Sequence, residues 1–234
     1  MPQWEALGES AVLLRWGHTL DAPINAAVHA AAAALRRACL PGIEDIAPAY
    51  ASLLLRFDLD AWSAGGTRDA LGALHNAIEP LLVAQPDGNT MSPRELRVPV
   101  CYGGAHGPDL AIVARHAGLS EHALIARHCA PLYRVAMLGF APGFPYLLGL
   151  DATLHMPRRA QPRVTVPAGS VAIGGVQTGI YPNALPGGWH LLGRTPWRLF
   201  DATREPACLL QPGDGVRFVA VTADEFAAQE RADP

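Results

Sequence analysis

From residue 133 onward the sequence advances in short apolar runs, 133–140, 164–166, 171–173, 190–192 and 216–221, separated by glycine and proline turns. That spacing is the pattern of a β-barrel or sandwich made of many short strands. The 23 Gly and 21 Pro among 234 residues predict many turns without implying disorder. A strand at 95–102 and two short helices at 108–117 and 120–128 lead into this region, and Thr222 with Glu225 forms a capping box for a closing helix.

The first ninety residues read differently. Two short strands flank Gly8, and Asp21 with Pro23 caps an Ala-rich run to Leu40 that should be a helix, stopped by Pro41-Gly42. A strand follows at 43–47. In 50–58, Leu53, Leu55 and Phe57 alternate with Ser52, Leu54 and Arg56, which predicts a strand with one buried face. Thr67 then caps a helix reaching Val83, and the polar run Gln85-Pro86-Asp87-Gly88-Asn89 breaks the chain, placing a domain boundary at 86–93. The expected organisation is an α+β N-terminal domain (1–88), with helices on one face of an antiparallel sheet, followed by a β-barrel domain (92–234).

Composition excludes several chemistries. All eighteen basic side chains are arginine, so there is no P-loop lysine, no Schiff-base amine and no Ser-Lys hydrolase pair. A guanidinium holds an anion, often bidentately, but does not give up its proton. A net charge of −3 argues against nucleic acid as a partner. Cys39, Cys101, Cys129 and Cys208 form no C-x-x-C pair, there is no H-E-x-x-H, and His116, His122 and His128 scatter around a helix, so no metal site is expected. No G-x-S-x-G is present, and His128 is a lone acid/base candidate that reads first as a structural residue. Without a signal-peptide pattern or a long apolar run, a cytoplasmic location off the membrane is expected.

One feature of composition is positional. Between His155 and Phe200 there is no Asp or Glu, yet Arg158, Arg159, Arg163, Arg194 and Arg198 fall inside. Either several guanidiniums face a glycine-rich surface ready for an anionic ligand, or they are surface arginines paired with acids from elsewhere in the chain. Polar groups crowd among Gly and Pro at VPAGS (166–170), QTGIYP (177–182) and PGGW (186–189), which read as a binding loop or as tight barrel corners. GFAPGFPY (139–146) reads as a rigid crossing loop or an aromatic lid, and the stretch 102–109 as a turn before a helix.

These same stretches, GFAPGFPY, PRRAQPRVTVP (157–167), AGSVAIGGVQTGIYP (168–182) and PGGWHLLGRTP (186–196), closely resemble the family of 5-oxoprolinase B subunits. That family is also called allophanate hydrolase subunit 1, or the Kip-type histidine-kinase inhibitors. Gly8-Glu9-Ser10-Ala11, Asn25, PAYASLLLRFD from Pro48, and VPVCYGG with GPDL between Val98 and Leu110 agree in order. Ala172 and Gly174 depart from the family's usual Gly and Ala, and an acidic residue is common near Ala105-His106.

The resemblance implies an α+β domain followed by a cyclophilin-like β-barrel. It also implies a hydrolase subunit acting on a cyclic amide, inactive without partners: with the C and A subunits of 5-oxoprolinase, the complex hydrolyses 5-oxo-L-proline to L-glutamate using ATP and Mg²⁺. Similar domains occur in urea-processing carboxylases, and one branch binds a histidine kinase, so a binding module or a urea/allophanate component are the alternatives. Having neither a Lys nor a Ser-Ser pair, the chain has no autonomous allophanate hydrolase site. On the resemblance, Arg158 or Arg163 would hold the substrate carboxylate or a phosphate. Gln177, Thr178 and Tyr181 would orient the lactam beside Trp189, and Arg194 with Thr195 would complete the anion site. No catalytic residue is assigned, and Mg²⁺-holding carboxylates are expected from the C subunit.

Overall fold

Successive side chains of a strand point to opposite faces, so Leu53, Leu55 and Phe57 must share one side of any sheet they enter. In the computed structural model, which describes residues 1–63, 69–83 and 94–232, all three are buried. Contacts divide the chain into two units, residues 1–92 and 93–234. The expected cap at Thr67 and the expected boundary at 86–93 lie outside the described residues.

The first unit contains β1 (Gln3–Ala6), β2 (Ala11–Arg15), the helix α1 (Ala22–Ala38), β3 (Ile43–Pro48), β4 (Ser52–Phe57), the short helix α2 (Leu59–Ser63) and α3 (Ala70–Val83). Its strands form an antiparallel sheet in the order β1-β2-β4-β3. Val12 and Leu14 stand opposite Leu55 and Leu53, so the buried residues of neighbouring strands coincide. Asp21 caps α1 by accepting from the Ile24 N–H at 3.2 Å, and Pro23 sits in the first turn, where its missing N–H costs nothing. Asn25, Val28, Ala32 and Leu35 recur at helical spacing and are buried. Val28, Ala32 and Leu35 share one core with the sheet residues and with Leu74 and Ile78 of α3. Asn25 reaches out of that stripe: its amide donates to the carbonyls of Ala49 and Tyr50 at 3.1 Å each, tying α1 to the β3–β4 turn. The alternation in the sequence does not predict α2.

The second unit opens with β5 (Glu95–Tyr102), α4 (Leu110–His116) and α5 (Glu121–Cys129), the last capped by Ser120, whose hydroxyl accepts from the Ala123 N–H. Strands β6 (Tyr133–Leu138), β7 (Pro145–Leu148), β8 (Arg163–Val166), β9 (Ser170–Gly174), β10 (Gln177–Ile180), β11 (Leu185–Gly187), β12 (His190–Arg194) and β13 (Gly215–Ala220) follow, and then α6 (Ala223–Ala232). Seven strands close a barrel in the order β10-β7-β6-β13-β5-β12-β9, while β8 and β11 pair as a separate two-stranded ribbon. Of the two arrangements open from sequence, the barrel forms; closure leaves its seven strands without an open edge. Alternate residues fill it, among them Val98, Val100, Val135, Leu147, Val171, Ile173, Ile180, Val216 and Phe218. The capping box at Thr222 and Glu225 forms in both directions.

One polar chain runs through this apolar interior. His128, fully buried, stacks on Phe218 at 4.7 Å between ring centroids. The Thr178 hydroxyl donates to the Ala172 carbonyl at 3.0 Å, so at 3.1 Å from Nε2 of His128 it can only accept. Nε2 therefore carries the proton, and Nδ1 accepts from the Tyr102 hydroxyl at 2.7 Å. The Cys129 thiol donates to Tyr102 at 3.5 Å. Each group is satisfied with the imidazole neutral, and burial lowers the His128 pKa to about 3.

This has a pH signature. A histidine whose pKa falls on folding binds its proton more tightly when unfolded, so its contribution to stability is complete above the unfolded value near 6.5 and is lost as pH falls toward 3. Between about pH 6.5 and 5, where most carboxylates remain ionised, urea unfolding of the full chain should lose roughly 1 kcal/mol per pH unit. In His128→Gln, which keeps a donor and an acceptor but does not titrate, that slope should vanish; parallel slopes in the two proteins would contradict this account.

Candidate functional site

Five guanidiniums without a local carboxylate must find counter-charges elsewhere or remain open to a ligand. Four of them find acids. Asp109, at the start of α4 and 2 % exposed, accepts from Arg163 through both oxygens at 2.8 and 2.9 Å and from Arg159 at 3.2 Å. It also accepts from the Leu191 N–H of β12 at 2.8 Å. Burial by itself would raise this carboxyl's pKa, but Arg163, the Leu191 amide and Arg159 more than reverse the effect and hold it below the usual carboxylate range. Arg194 lies 3.5 Å from Glu230, and Arg198 lies 3.3 Å from Asp201. Within the segment, and among the described residues, Arg158 is the guanidinium with no carboxylate within salt-bridge distance.

Arg158 lies instead over the Trp189 ring, 5.9 Å from its centroid, on an aromatic layer outside the barrel wall. That layer follows from strand alternation: Val171, Ile173 and Ile180 point into the barrel, so Ala172, Gly174 and Gly179 point out. Trp189 fits against the wall because residue 174 is glycine, where a Cβ would stand 2.6 Å from the indole. Phe144 crosses Tyr181 and Trp189 edge to face at 5.2 and 5.7 Å, and Tyr146 crosses Trp189 at 5.9 Å. Gln177 stands opposite Gly174 in register and so faces the same side. Burial raises the Tyr181 and Tyr146 pKa values, with the nearby Arg158 charge pulling both back in part, and both phenols stay protonated.

At the edge of this layer Phe140 is 60 % exposed and has φ 68°, in the left-handed region that a non-glycine residue enters at a cost of roughly 1–2 kcal/mol. Its loop is closed by backbone bonds from Ala141 to Gly139, from Phe144 to Ala141 and from Gly139 to Phe144. The strain therefore holds a large apolar ring in solvent, 5.5 Å from Phe144. Phe144, Tyr181 and Trp189 are themselves buried, so what this layer presents outward is the exposed Arg158 guanidinium, which has no carboxylate partner, beside the exposed Phe140 ring; a cation beside an apolar surface can receive a small carboxylate with an apolar body.

The carboxyltransferase domain, subdomain C and D, family matches residues 2–210. A curated relative from Bacillus subtilis (strain 168), named as the B subunit of 5-oxoprolinase, is 39 % identical over 229 residues, covering 97 % of this chain and 95 % of that protein. The chain belongs to the family of 5-oxoprolinase B subunits. Among solved structures, that of TTHA0988 is 41 % identical with a TM-score of 0.78; it covers 91 % of this chain, which spans 40 % of that one. The urea carboxylase of Kluyveromyces lactis, 22 % identical with a TM-score of 0.70, covers 96 % of this chain and 22 % of its own, and at that identity the likeness is one of fold.

The residues that the oxoprolinase resemblance singles out fall in different places. Arg158, Tyr181, Trp189 and Gln177 share the outer aromatic layer. Thr178 lies inside the barrel with its hydroxyl engaged by both His128 and Ala172. Arg163 is bound to Asp109, and Arg194 with Thr195 lines a separate surface cavity of about 590 Å³. Sequence reasoning missed Asp109, which ends the stretch 102–109 read as a turn before a helix; its side chain makes no capping bond. It placed Phe140 in a rigid crossing loop or an aromatic lid, but the left-handed backbone there has no local signal.

The two arginines left as alternatives therefore differ in kind. Arg163→Ala should lower the unfolding free energy by about 2 kcal/mol, because it strips a buried carboxylate of its bidentate partner. Arg158→Ala should cost well under half of that. Urea unfolding of both variants at neutral pH checks the pair, and equal costs would contradict the assignment of Arg163 to the scaffold.

Proposed function

We propose that the chain is the B subunit of an ATP-dependent 5-oxoprolinase, working with the C and A subunits to hydrolyse 5-oxo-L-proline to L-glutamate. The 39 % identity to a 5-oxoprolinase B subunit over 97 % of this chain carries that reading. Its first unit is the α+β domain and its second the cyclophilin-like barrel domain. The outer aromatic layer supports substrate binding: the exposed Arg158 takes the carboxylate from its place over Trp189, Gln177 bonds the lactam amide, and the buried Trp189 and Tyr181 hold that face in shape. Arg163 supports this face by holding Asp109, without touching substrate.

What the chain offers is reception of an anion. Arginine donates no proton at neutral pH, and His128 is buried, neutral and engaged on both nitrogens. Among the described residues no three His, Cys, Asp or Glu lie together where they could hold a metal ion. On this reading nucleotide, metal and proton transfer are assigned to the partner subunits.

In a complex reconstituted from all three subunits and supplied with ATP, glutamate release from 5-oxoproline should follow. Arg158→Ala should lower kcat/KM roughly 10- to 100-fold, mainly through KM, the loss expected for a charge-assisted pair worth about 1.5–3 kcal/mol. Arg158→Lys, which keeps the charge without the planar fork, should fall between. An intact complex that releases no glutamate would overturn the reading, and full activity of Arg158→Ala would overturn the role of Arg158.

A further inference from the structure

The surface cavity of about 590 Å³ beside β12 is lined by Ala168, Thr195, Arg194, Arg198, Asp201 and Glu230 among others, and neither Arg158, Tyr181 nor Trp189 belongs to it. Its size is that of a small-molecule site. Its charges are unusual in balance: two guanidiniums and two carboxylates face one space. Both ion pairs across it are loose single contacts, 3.5 Å for Arg194–Glu230 and 3.3 Å for Arg198–Asp201, against the bidentate 2.8 and 2.9 Å of Arg163 on Asp109.

Some of these groups are held in place by other bonds. Arg194 donates through Nε to the Ala168 carbonyl at 2.7 Å and lies over Phe226 of α6, 5.7 Å from the ring centroid. Asp201 accepts from the Thr203 amide at 2.9 Å and the Thr203 hydroxyl at 2.6 Å, both on the oxygen that does not face Arg198. Arg194 and Asp201 are thus positioned by contacts that do not depend on the loose pairs. Exposed pairs of this kind contribute little by themselves, so a ligand can separate them at small cost.

Charge balance then selects the ligand class. A simple anion gains two guanidiniums but meets two carboxylates, and a simple cation meets the reverse. A molecule carrying both signs pairs with all four groups and leaves no charge opposed. We infer that this cavity binds an α-amino acid, its carboxylates on Arg194 and Arg198 and its ammonium on Glu230 or Asp201, with the Thr195 hydroxyl as a further hydrogen-bonding group. A dicarboxylic amino acid matches both guanidiniums at once. The choice of L-glutamate as the probe rests on the oxoprolinase reading, in which it is the product. Opening the lactam breaks the ring C–N bond, adds the oxygen of water to the carbonyl carbon and leaves the nitrogen as an ammonium. The ring-closed substrate has no such cation, so the cavity distinguishes product from substrate.

The test is direct binding to the full chain alone, by calorimetry, with L-glutamate, glutarate and 5-oxo-L-proline. In Arg158→Ala, which removes the carboxylate site proposed above, L-glutamate should bind saturably and at least tenfold more tightly than glutarate, which lacks the ammonium, or than 5-oxoproline. Arg198→Gln and Glu230→Gln, both at exposed positions, should each weaken glutamate at least fivefold with unchanged thermal unfolding, while Arg158→Ala leaves it unaltered. In Arg158→Ala, glutarate or 5-oxoproline binding as tightly as glutamate, no saturable glutamate binding in the millimolar range, or, in the otherwise unaltered chain, glutamate binding indifferent to both glutamine variants would overturn the inference. Because the assay reads binding without turnover, its failure is distinguishable from failure of the reconstituted complex to release glutamate.

Discussion

A single buried carboxylate organises one side of the barrel unit, beside the outer aromatic layer. Asp109 joins three parts of the chain, the start of α4, the arginines at 159 and 163, and the Leu191 amide on β12. A carboxylate taken out of water is tolerable only when its lone pairs are filled, and here two guanidiniums and an amide fill them. The 157–167 segment is thereby pinned against the barrel, and two of the five arginines in the acid-free stretch are committed to structure.

That commitment gives Arg158 its distinct position. Its neighbour Arg159 turns toward Asp109, whereas Arg158 lies on Trp189. Trp189 in turn depends on Gly174 for its seat against the barrel wall, and the Phe144, Tyr146 and Tyr181 rings interlock with it. A rigid aromatic floor under a guanidinium favours that position of the cation, because the face of the ring attracts positive charge. The strained backbone at Phe140 extends that floor into solvent.

Much of the fold was legible because it is written locally. The caps Asp21 and Thr222 act within a few residues, and the alternation of Leu53, Leu55 and Phe57 fixes a buried face without reference to anything distant. The candidate site was legible only in part. Counting acids between His155 and Phe200 leaves open whether the arginines await a ligand or pair with acids from elsewhere, because neutralisation is a property of space: Asp109 lies 50 and 54 residues before its partners, and Glu230 lies 36 positions beyond Arg194 (230 less 194). Thr178 misled for a related reason. In a Gln-Thr-Gly run it reads as a ligand-orienting hydroxyl, yet strand alternation with Ile180 turns it inward, where His128 supplies a polar partner that no sequence spacing announces.

The central claim is that Asp109 withdraws Arg159 and Arg163 from ligand binding and leaves Arg158 to receive a carboxylate. The most direct measurement is nitrogen-detected NMR of the arginine side chains in the full chain, titrated with 5-oxo-L-proline. The Arg158 Nε resonance, identified by its absence in Arg158→Lys, should shift saturably while those of Arg159 and Arg163 stay in place. Movement of the Arg163 resonance with Arg158 stationary would contradict the account.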